Sequence, residues 1–171
     1  MFELKPLSKE GVPEALEKVE RYRLLNEPWE AESICLDILR VDPNNHGALI
    51  GLLLSLTDQF GSGPGSARTS QVSNEARKLL PRLPSEYERA YYAGIIEERL
   101  AKASLRQEGP RSGVIAYGGL AEAMKCYEKA EKMRPPGNDD AILRWNACAR
   151  IIMSRDDIRP ESEEWVETFL E

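Results

Sequence analysis

The stretch from Trp29 to Leu56 constrains the fold more than any other part of the chain, because it combines a helix, a sharp stop and a second helix. Ala31, Cys35 and Ile38 follow one another at the i, i+4 and i+7 spacing of one helical stripe. Pro43 comes next, in the run Asp-Pro-Asn-Asn, and proline cannot continue a helix. The second helix must therefore fold back and pack against the first.

The same spacing recurs near the other end of the chain. Ala123, Tyr127, Ala130 and Pro135 are related to one another as Ala31, Cys35, Ile38 and Pro43 are. Self-similarity of this kind is typical of proteins built from repeated helical hairpins. The fold class predicted from the sequence is therefore all-α.

Apolar periodicity and capping signals predict eight helices and no strand. Asn26 is expected to cap the second helix and Asn45 the third, because asparagine side chains accept hydrogen bonds from the free N–H groups of a first turn. The predicted helices span about 13–25, 28–41, 46–60, 70–80, 86–104, 119–134, 139–154 and 161–170.

Two stretches lack helical periodicity and are predicted to be loop insertions. The first, residues 61–70, is rich in glycine, but no Lys-Ser/Thr pair follows it and no strand precedes it, so it does not resemble a phosphate-binding loop. The second, residues 106–119, carries Val114, Ile115 and Tyr117 between glycines. We expect this apolar tip to fold against the helices near Tyr91 and Tyr92; the alternative is a mobile loop whose apolar residues are incidental.

Composition narrows the classes of partner and the compartment. The chain has 29 acidic and 23 basic residues, a net charge of −6 that disfavours nucleic acid and anionic membrane surfaces. Its longest apolar run, Ala48 to Leu54, is too short to span a bilayer, and the N-terminus lacks the apolar core of a signal peptide. The three cysteines show no metal-ligand spacing and are expected to be buried free thiols. These features predict a cytoplasmic protein.

The sequence offers little support for catalysis. Its one histidine, His46, lies in the first turn of a predicted helix, where a solvated or capping role is expected. Pairs of carboxylates such as Glu97-Glu98 and Asp139-Asp140 are adjacent in sequence, so on a helix they diverge by about 100° instead of sharing a proton. We therefore predict no enzymatic activity, no cofactor and no metal.

The hairpin pattern resembles the tetratricopeptide repeat, whose unit is two antiparallel helices followed by a proline. The first unit carries the resemblance through Tyr22, Ala31, Cys35, Ile38 and Pro43, and a later unit through Ala123, Tyr127, Ala130 and Pro135. The resemblance implies a single domain over residues 1–171, a right-handed superhelical stack of three to four hairpins with two loop insertions. The units would span about 12–45, 46–84, 85–137 and a partial 138–171. A C-terminal capping helix would present Trp165, Phe169 and Leu170 to the stack.

The resemblance also implies that the first helix of each hairpin lines a concave groove that binds a segment of another protein. The residues expected there are Leu16, Glu20, Arg23, Ile50, Leu54, Tyr91, Ile95, Glu98, Leu143, Ala147 and Arg150. Leu16 and Glu20 stand where the family's carboxylate clamp needs lysine and asparagine, which disfavours that specialised site. Two alternatives remain: many of these residues form internal packing, and the protein is a self-associating structural subunit or a chaperone-like component of a larger complex.

Overall fold

The computed structural model describes residues 2–62, 66–107 and 109–161, and in these ranges the chain is helical without a strand. Two short 3₁₀ helices, Lys9–Gly11 and Leu80–Arg82, accompany the α-helices. The α-helices are α1 (Val12–Leu24), α2 (Pro28–Val41), α3 (His46–Asp58), α4 (Ser66–Leu79), α5 (Glu86–Arg106), α6 (Ser112–Glu131) and α7 (Asp140–Met153). The predicted all-α class is confirmed for the described part of the chain.

The two repeated stripes form the contact surfaces of their helices. Ala31, Cys35 and Ile38 of α2 have no exposed surface, and neither do Ala123, Tyr127 and Ala130 of α6. Correspondingly, α2 packs against both α1 and α3, and α6 against both α5 and α7. Small residues at positions 31 and 123 allow the backbones of paired helices to approach closely.

The apolar core consists of two clusters that meet between α3 and α5. Helices α1 to α4, with part of α5, enclose the first cluster, and helices α5 to α7 enclose the second. Leu54 and Tyr92 are half-buried and pack against both clusters. Helix α3 is apolar nearly all round and contacts α1, α2, α4 and α5, as predicted for a helix in the middle of a stack.

The ends of the first helices show one correct and one wrong capping prediction. The Asn45 side chain accepts a hydrogen bond from the Ala48 N–H at 2.9 Å and caps α3 as predicted. Asn26 does not cap α2, whose N-cap residue is Glu27. Instead Asn26 has φ = 59° and ends α1, while the Glu27 N–H donates to the Tyr22 carbonyl at 2.9 Å. Asparagine is suited to either role, and here its tolerance of left-handed backbone decides.

Both predicted insertions are shorter than expected. Helix α4 begins at Ser66 and not near Ser70, and α6 begins at Ser112 and not near Gly119. The apolar tip is therefore the first part of α6: Val114 and Tyr117 are half-buried, whereas Ile115 is exposed. It lies beside the C-terminal part of α5, around Ser104, so its predicted position near Tyr91 and Tyr92 is wrong.

The last predicted helix, about 161–170, with Trp165, Phe169 and Leu170, lies outside the described residues apart from Glu161. Before it, Ile158 is buried in the second core cluster. None of the described helices is both long enough and apolar enough to cross a membrane.

Candidate protein-binding face

Helices α1, α3, α5 and α7 are those expected to come first in each hairpin, and we call the surface that they contribute the first-helix face. Helix α1 contacts α3, and α3 contacts α5. Helix α7 is joined to α5 by an ion pair between Arg144 and Glu98, with 3.4 Å between Nη1 and Oε1. Side chains from widely separated parts of the sequence therefore meet on this face.

Asp58, the last residue of α3, links α3 to both α1 and α5. Its carboxylate accepts from Arg23 Nε of α1 at 2.7 Å, and its other oxygen pairs with Arg99 of α5. A carboxylate at a helix C-terminus is opposed by the helix dipole, and the two guanidiniums offset that opposition. The three side chains are each about one-fifth exposed, so this network lies at the surface and not in the core.

Arg99 is the most constrained cation of the face. Its Nη1 donates to the Thr57 hydroxyl at 2.6 Å, besides its pairing with Asp58. Burial lowers the pKa of the Arg99 guanidinium; the Asp58 carboxylate raises it, but the positive charges of Arg23 and Arg144 lower it further. The net direction is downward, with burial as the main cause and the charges of Arg23 and Arg144 as smaller contributions.

A second network surrounds Glu98, whose side chain is 1% exposed. The Tyr127 hydroxyl donates to Oε2 at 2.6 Å, and Lys102 and Arg144 both pair with Oε1. Burial would raise the pKa of this carboxyl, but hydrogen bonds from Lys102 and Tyr127 and the nearby positive charges bring it below its ordinary value. Glu98 is therefore an ionised group inside the protein that joins α5, α6 and α7.

Together the two networks carry a net positive charge in an acidic chain. Arg23, Arg99, Arg144 and Lys102 supply four positive charges, while Asp58 and Glu98 supply two negative charges, leaving an excess of two. The chain as a whole carries −6. Arg144 is also the most exposed of the four, at 38% of its side chain, so it is the cation best placed to meet another molecule.

Tyrosines border the positive charges. Tyr91 stacks on Tyr87 with 5.9 Å between ring centroids, and it meets Tyr92 edge-on at 5.2 Å. Burial would lower the pKa of the Arg144 guanidinium, but the Glu98 charge and the nearby Tyr91 raise it above its ordinary value. Tyrosine and arginine are the side chains most enriched at the energetic centres of protein interfaces.

The structure separates the predicted groove residues into three groups. Two are buried: Ile95 and Glu98 are each 1% exposed, so for these residues the internal-packing alternative describes their environment. The half-buried group comprises Leu16, Arg23, Ile50, Leu54, Tyr91 and Ala147, and the exposed group Glu20, Leu143 and Arg150.

Sequence reasoning missed four charged residues of the two networks, Asp58, Arg99, Lys102 and Arg144. The spacing of Tyr91 and Ile95 is compatible with either Glu98 or Arg99 on the next turn, and the structure shows that Glu98 points inward and Arg99 toward α3. Asp58 and Arg144 carried a weak signal, since each is a charge beside an apolar stripe. Which charged side chains form ion pairs depends on the angles between the helices. Those angles cannot be read from the spacing of residues in the sequence.

The nucleophiles and the histidine of the chain show no catalytic arrangement among the described residues. Burial raises the pKa of the Cys35 and Cys148 thiols to about 12, and it also raises that of Cys126. His46 Nε2 lies 2.7 Å from Glu88 Oε1, an exposed pair between α3 and α5. Within the described ranges, no three His, Cys, Asp or Glu side chains converge as metal ligands would.

Comparison with known proteins gives no relative: no family model matches the chain, and no curated protein or solved structure matches it significantly.

Proposed function

We propose that this protein is a non-enzymatic adaptor that binds a segment of another protein along the first-helix face, in the groove of a tetratricopeptide-like stack. The order of helix contacts supports the stack, because each helix packs on the next and α1, α3 and α5 also contact one another in turn. The buried small residues Ala31 and Ala123, at equivalent positions of two hairpins, support it as well. In such a stack the first helices line the concave side.

The observation that carries the proposal is the gathering of Arg23, Arg99 and Arg144 on one face. Placing three guanidiniums together costs electrostatic free energy, and the charges of Arg23 and Arg144 add to burial in lowering the pKa of Arg99. Asp58 is paired with Arg23 and Arg99, and Glu98 is paired with Lys102 as well as with Arg144, so Arg144 keeps donors for a further carboxylate. A carboxylate from a bound segment would relieve the repulsion and accept hydrogen bonds from the partly exposed Arg144.

The side chains near the three arginines indicate what other residues the bound segment should contain. Leu54 and Tyr91 are half-buried beside the arginines, and Leu143 is an exposed apolar side chain on the same helix as Arg144. We therefore propose a segment in which an acidic side chain is flanked by apolar ones. The acidic residue fixes its position, and the apolar residues bury surface.

Selection of a random linear peptide library on the full-length protein tests this proposal. The selected peptides should be enriched in Asp or Glu next to apolar residues. Arg144→Ala should weaken their binding about tenfold or more, since a charge-assisted hydrogen bond is lost. Lys125→Ala is the matched control, because it removes one positive charge from an exposed position on α6 and should leave binding unchanged. Peptides without acidic enrichment, or equal losses in both variants, would refute the proposal.

A second candidate function, self-association, is favoured by one specific observation. Leu24, Leu25, Trp29 and Leu36 are large apolar side chains that are all exposed on α1, α2 and the turn between them. Trp29 and Leu36 are spaced i, i+7 and so share one face of α2. A second copy covering this face would make the protein a structural subunit. Light scattering over a range of concentrations distinguishes the two functions, because a monomer at all concentrations excludes self-association.

A further inference from the structure

Two arginines of the first-helix face use few of their hydrogen-bond donors within the described part of the chain. Arg23 bonds through Nε, which lies 2.7 Å from an Asp58 carboxylate oxygen. Arg99 bonds through Nη1, which donates to the Leu54 carbonyl, the Thr57 hydroxyl and Asp58. A guanidinium carries N–H donors on each of its nitrogens, so both side chains keep donors on the other two. Each is about one-fifth exposed, so these donors are within reach of a bound molecule.

Arg144 adds a third guanidinium that is held less firmly. Its Nη1 lies 3.4 Å from Glu98 Oε1, which is longer than the about 2.7–2.9 Å of a strong charge-assisted hydrogen bond. Glu98 also pairs with Lys102 and accepts a hydrogen bond from Tyr127. The buried carboxylate therefore keeps other partners when Arg144 donates to a second acceptor.

The charge of the two networks indicates what kind of acceptor would fit. Their four cations and two carboxylates leave an excess of two positive charges. A carboxylate from a bound segment would neutralise one of them. A phosphate monoester carries a charge of about −1.5 to −2 at pH 7 and has three acceptor oxygens, so it would neutralise nearly the whole excess.

The type and position of the cations add to this preference. The charges of Arg23 and Arg144 both act on Arg99, so a doubly charged anion beside Arg99 offsets two repulsions at once. All three side chains are partly buried, and water and salt screen such charges less than fully exposed ones. The planar guanidinium fork also matches the spacing of phosphate oxygens.

We propose that the first-helix face recognises a phosphorylated side chain in the segment that it binds, with the phosphate oxygens accepting hydrogen bonds from Arg99 and Arg144. This inference rests on the adaptor function proposed above and adds regulation to it. The segment binds tightly after it is phosphorylated and weakly before. The half-buried Leu54 and Tyr91 contact the apolar residues that flank the phosphate.

Peptide pools with one fixed central residue test the proposal on the full-length protein. The fixed residue is phosphoserine, phosphotyrosine, glutamate, serine or tyrosine, and every other position is random. The better of the two phosphorylated pools should bind about tenfold or more tighter than the glutamate pool, because phosphate adds a charge and a further acceptor oxygen. The glutamate pool should in turn bind more tightly than the serine pool.

Two conservative variants test whether the guanidinium of Arg144 reads the phosphate. Arg144→Lys keeps the positive charge but loses the planar fork, so it should reduce the preference for phosphate over glutamate several-fold. Arg77→Lys is the matched control. Arg77 is 41% exposed and pairs with Glu97 much as Arg144 pairs with Glu98, but it lies on α4 and not on the first-helix face. It should leave the preference unchanged, and circular dichroism confirms that both variants are folded.

Four outcomes would overturn the proposal. If the phosphorylated pools bind no more tightly than the glutamate pool, while glutamate still exceeds serine, phosphate recognition is wrong and the adaptor function stands. If all pools bind equally, both are wrong. If inorganic phosphate alone binds as tightly as the phosphorylated pool, the site takes a free anion. If a single-stranded oligonucleotide at equal concentration displaces that pool, the site takes nucleic acid.

Discussion

At the scale of single residues, the closest helix pair depends on one glycine. Helices α5 and α6 pack along most of their length, and the Tyr127 ring lies over Gly94. A Cβ atom at position 94 would lie 2.5 Å from Cε1 of that ring. Tyr127 cannot move away freely, because it is fully buried and its hydroxyl is held by Glu98. Position 94 therefore requires glycine for space, not for backbone freedom.

Gly94→Ala is expected to lower the free energy of unfolding by about 1–3 kcal/mol through overpacking. Gly118→Ala is the control, since Gly118 is also inside a helix but a Cβ atom there would meet nothing within 4 Å. At position 118 alanine should stabilise the protein by about 0.5–1 kcal/mol through higher helix propensity. Urea denaturation of the two variants measures both effects. A stabilised Gly94→Ala variant would mean that the ring does not rest on this residue.

At the scale of elements, local signals predicted the start of α6 wrongly, because tertiary contacts there allow glycine inside a helix. The glycines at 113, 118 and 119 suggested a loop, because glycine lowers helix propensity. In the folded chain Gly113 admits the Asp157 carbonyl and Gly119 lies against Ala101, so these two glycines permit close packing within a helix. Periodicity within one segment cannot reveal a neighbour that arrives from another segment. By contrast, the stripes of α2 and α6 were predictable, since burial alone determines them.

The turn between α1 and α2 gives a prediction at this scale. Asn26 has φ = 59°, in the left-handed region. Most residues cost about 1–2 kcal/mol there because their Cβ atom crowds the backbone, whereas glycine has no Cβ and asparagine tolerates the conformation. Asn26→Gly should leave the thermal midpoint nearly unchanged or raise it, whereas Asn26→Val should lower it. Both variants remove the polar side chain, so the comparison isolates the backbone. Equal midpoints would show that the left-handed turn is not maintained in solution.

At the scale of the whole molecule, apolar spacing accounts for the helical architecture, and the charges are what is particular to this chain. The sequence predicted the all-α class and the central position of α3, because apolar spacing reports which faces are buried. It did not predict that Arg23, Asp58 and Arg99 meet, because they are contributed by three hairpins. The proposed site on the first-helix face therefore depends on how the helices pack together and not on a sequence motif.

We expect the Glu98 network to make the stability of α5, α6 and α7 depend on pH. The pKa of the Glu98 carboxyl is lowered in the folded protein. The stability that Glu98 contributes is therefore present above its unfolded-state pKa and is lost as pH falls through its folded-state pKa. Glu98→Gln should cost about 1.5–3 kcal/mol at pH 7, because it removes hydrogen bonds to a charged group. The difference between wild type and variant should then shrink as pH falls below about 4.5, the ordinary value for glutamate.

Urea denaturation at a series of pH values measures this difference. Glu14→Gln serves as the control, because Glu14 also pairs with a lysine, Lys18, but on the exposed surface of α1. Its pH profile should run parallel to that of the wild type, since water and salt screen the exposed pair. If the Glu98→Gln profile also ran parallel to wild type, the pKa of Glu98 would be the same in the folded and unfolded protein, and the network would not stabilise its charged form.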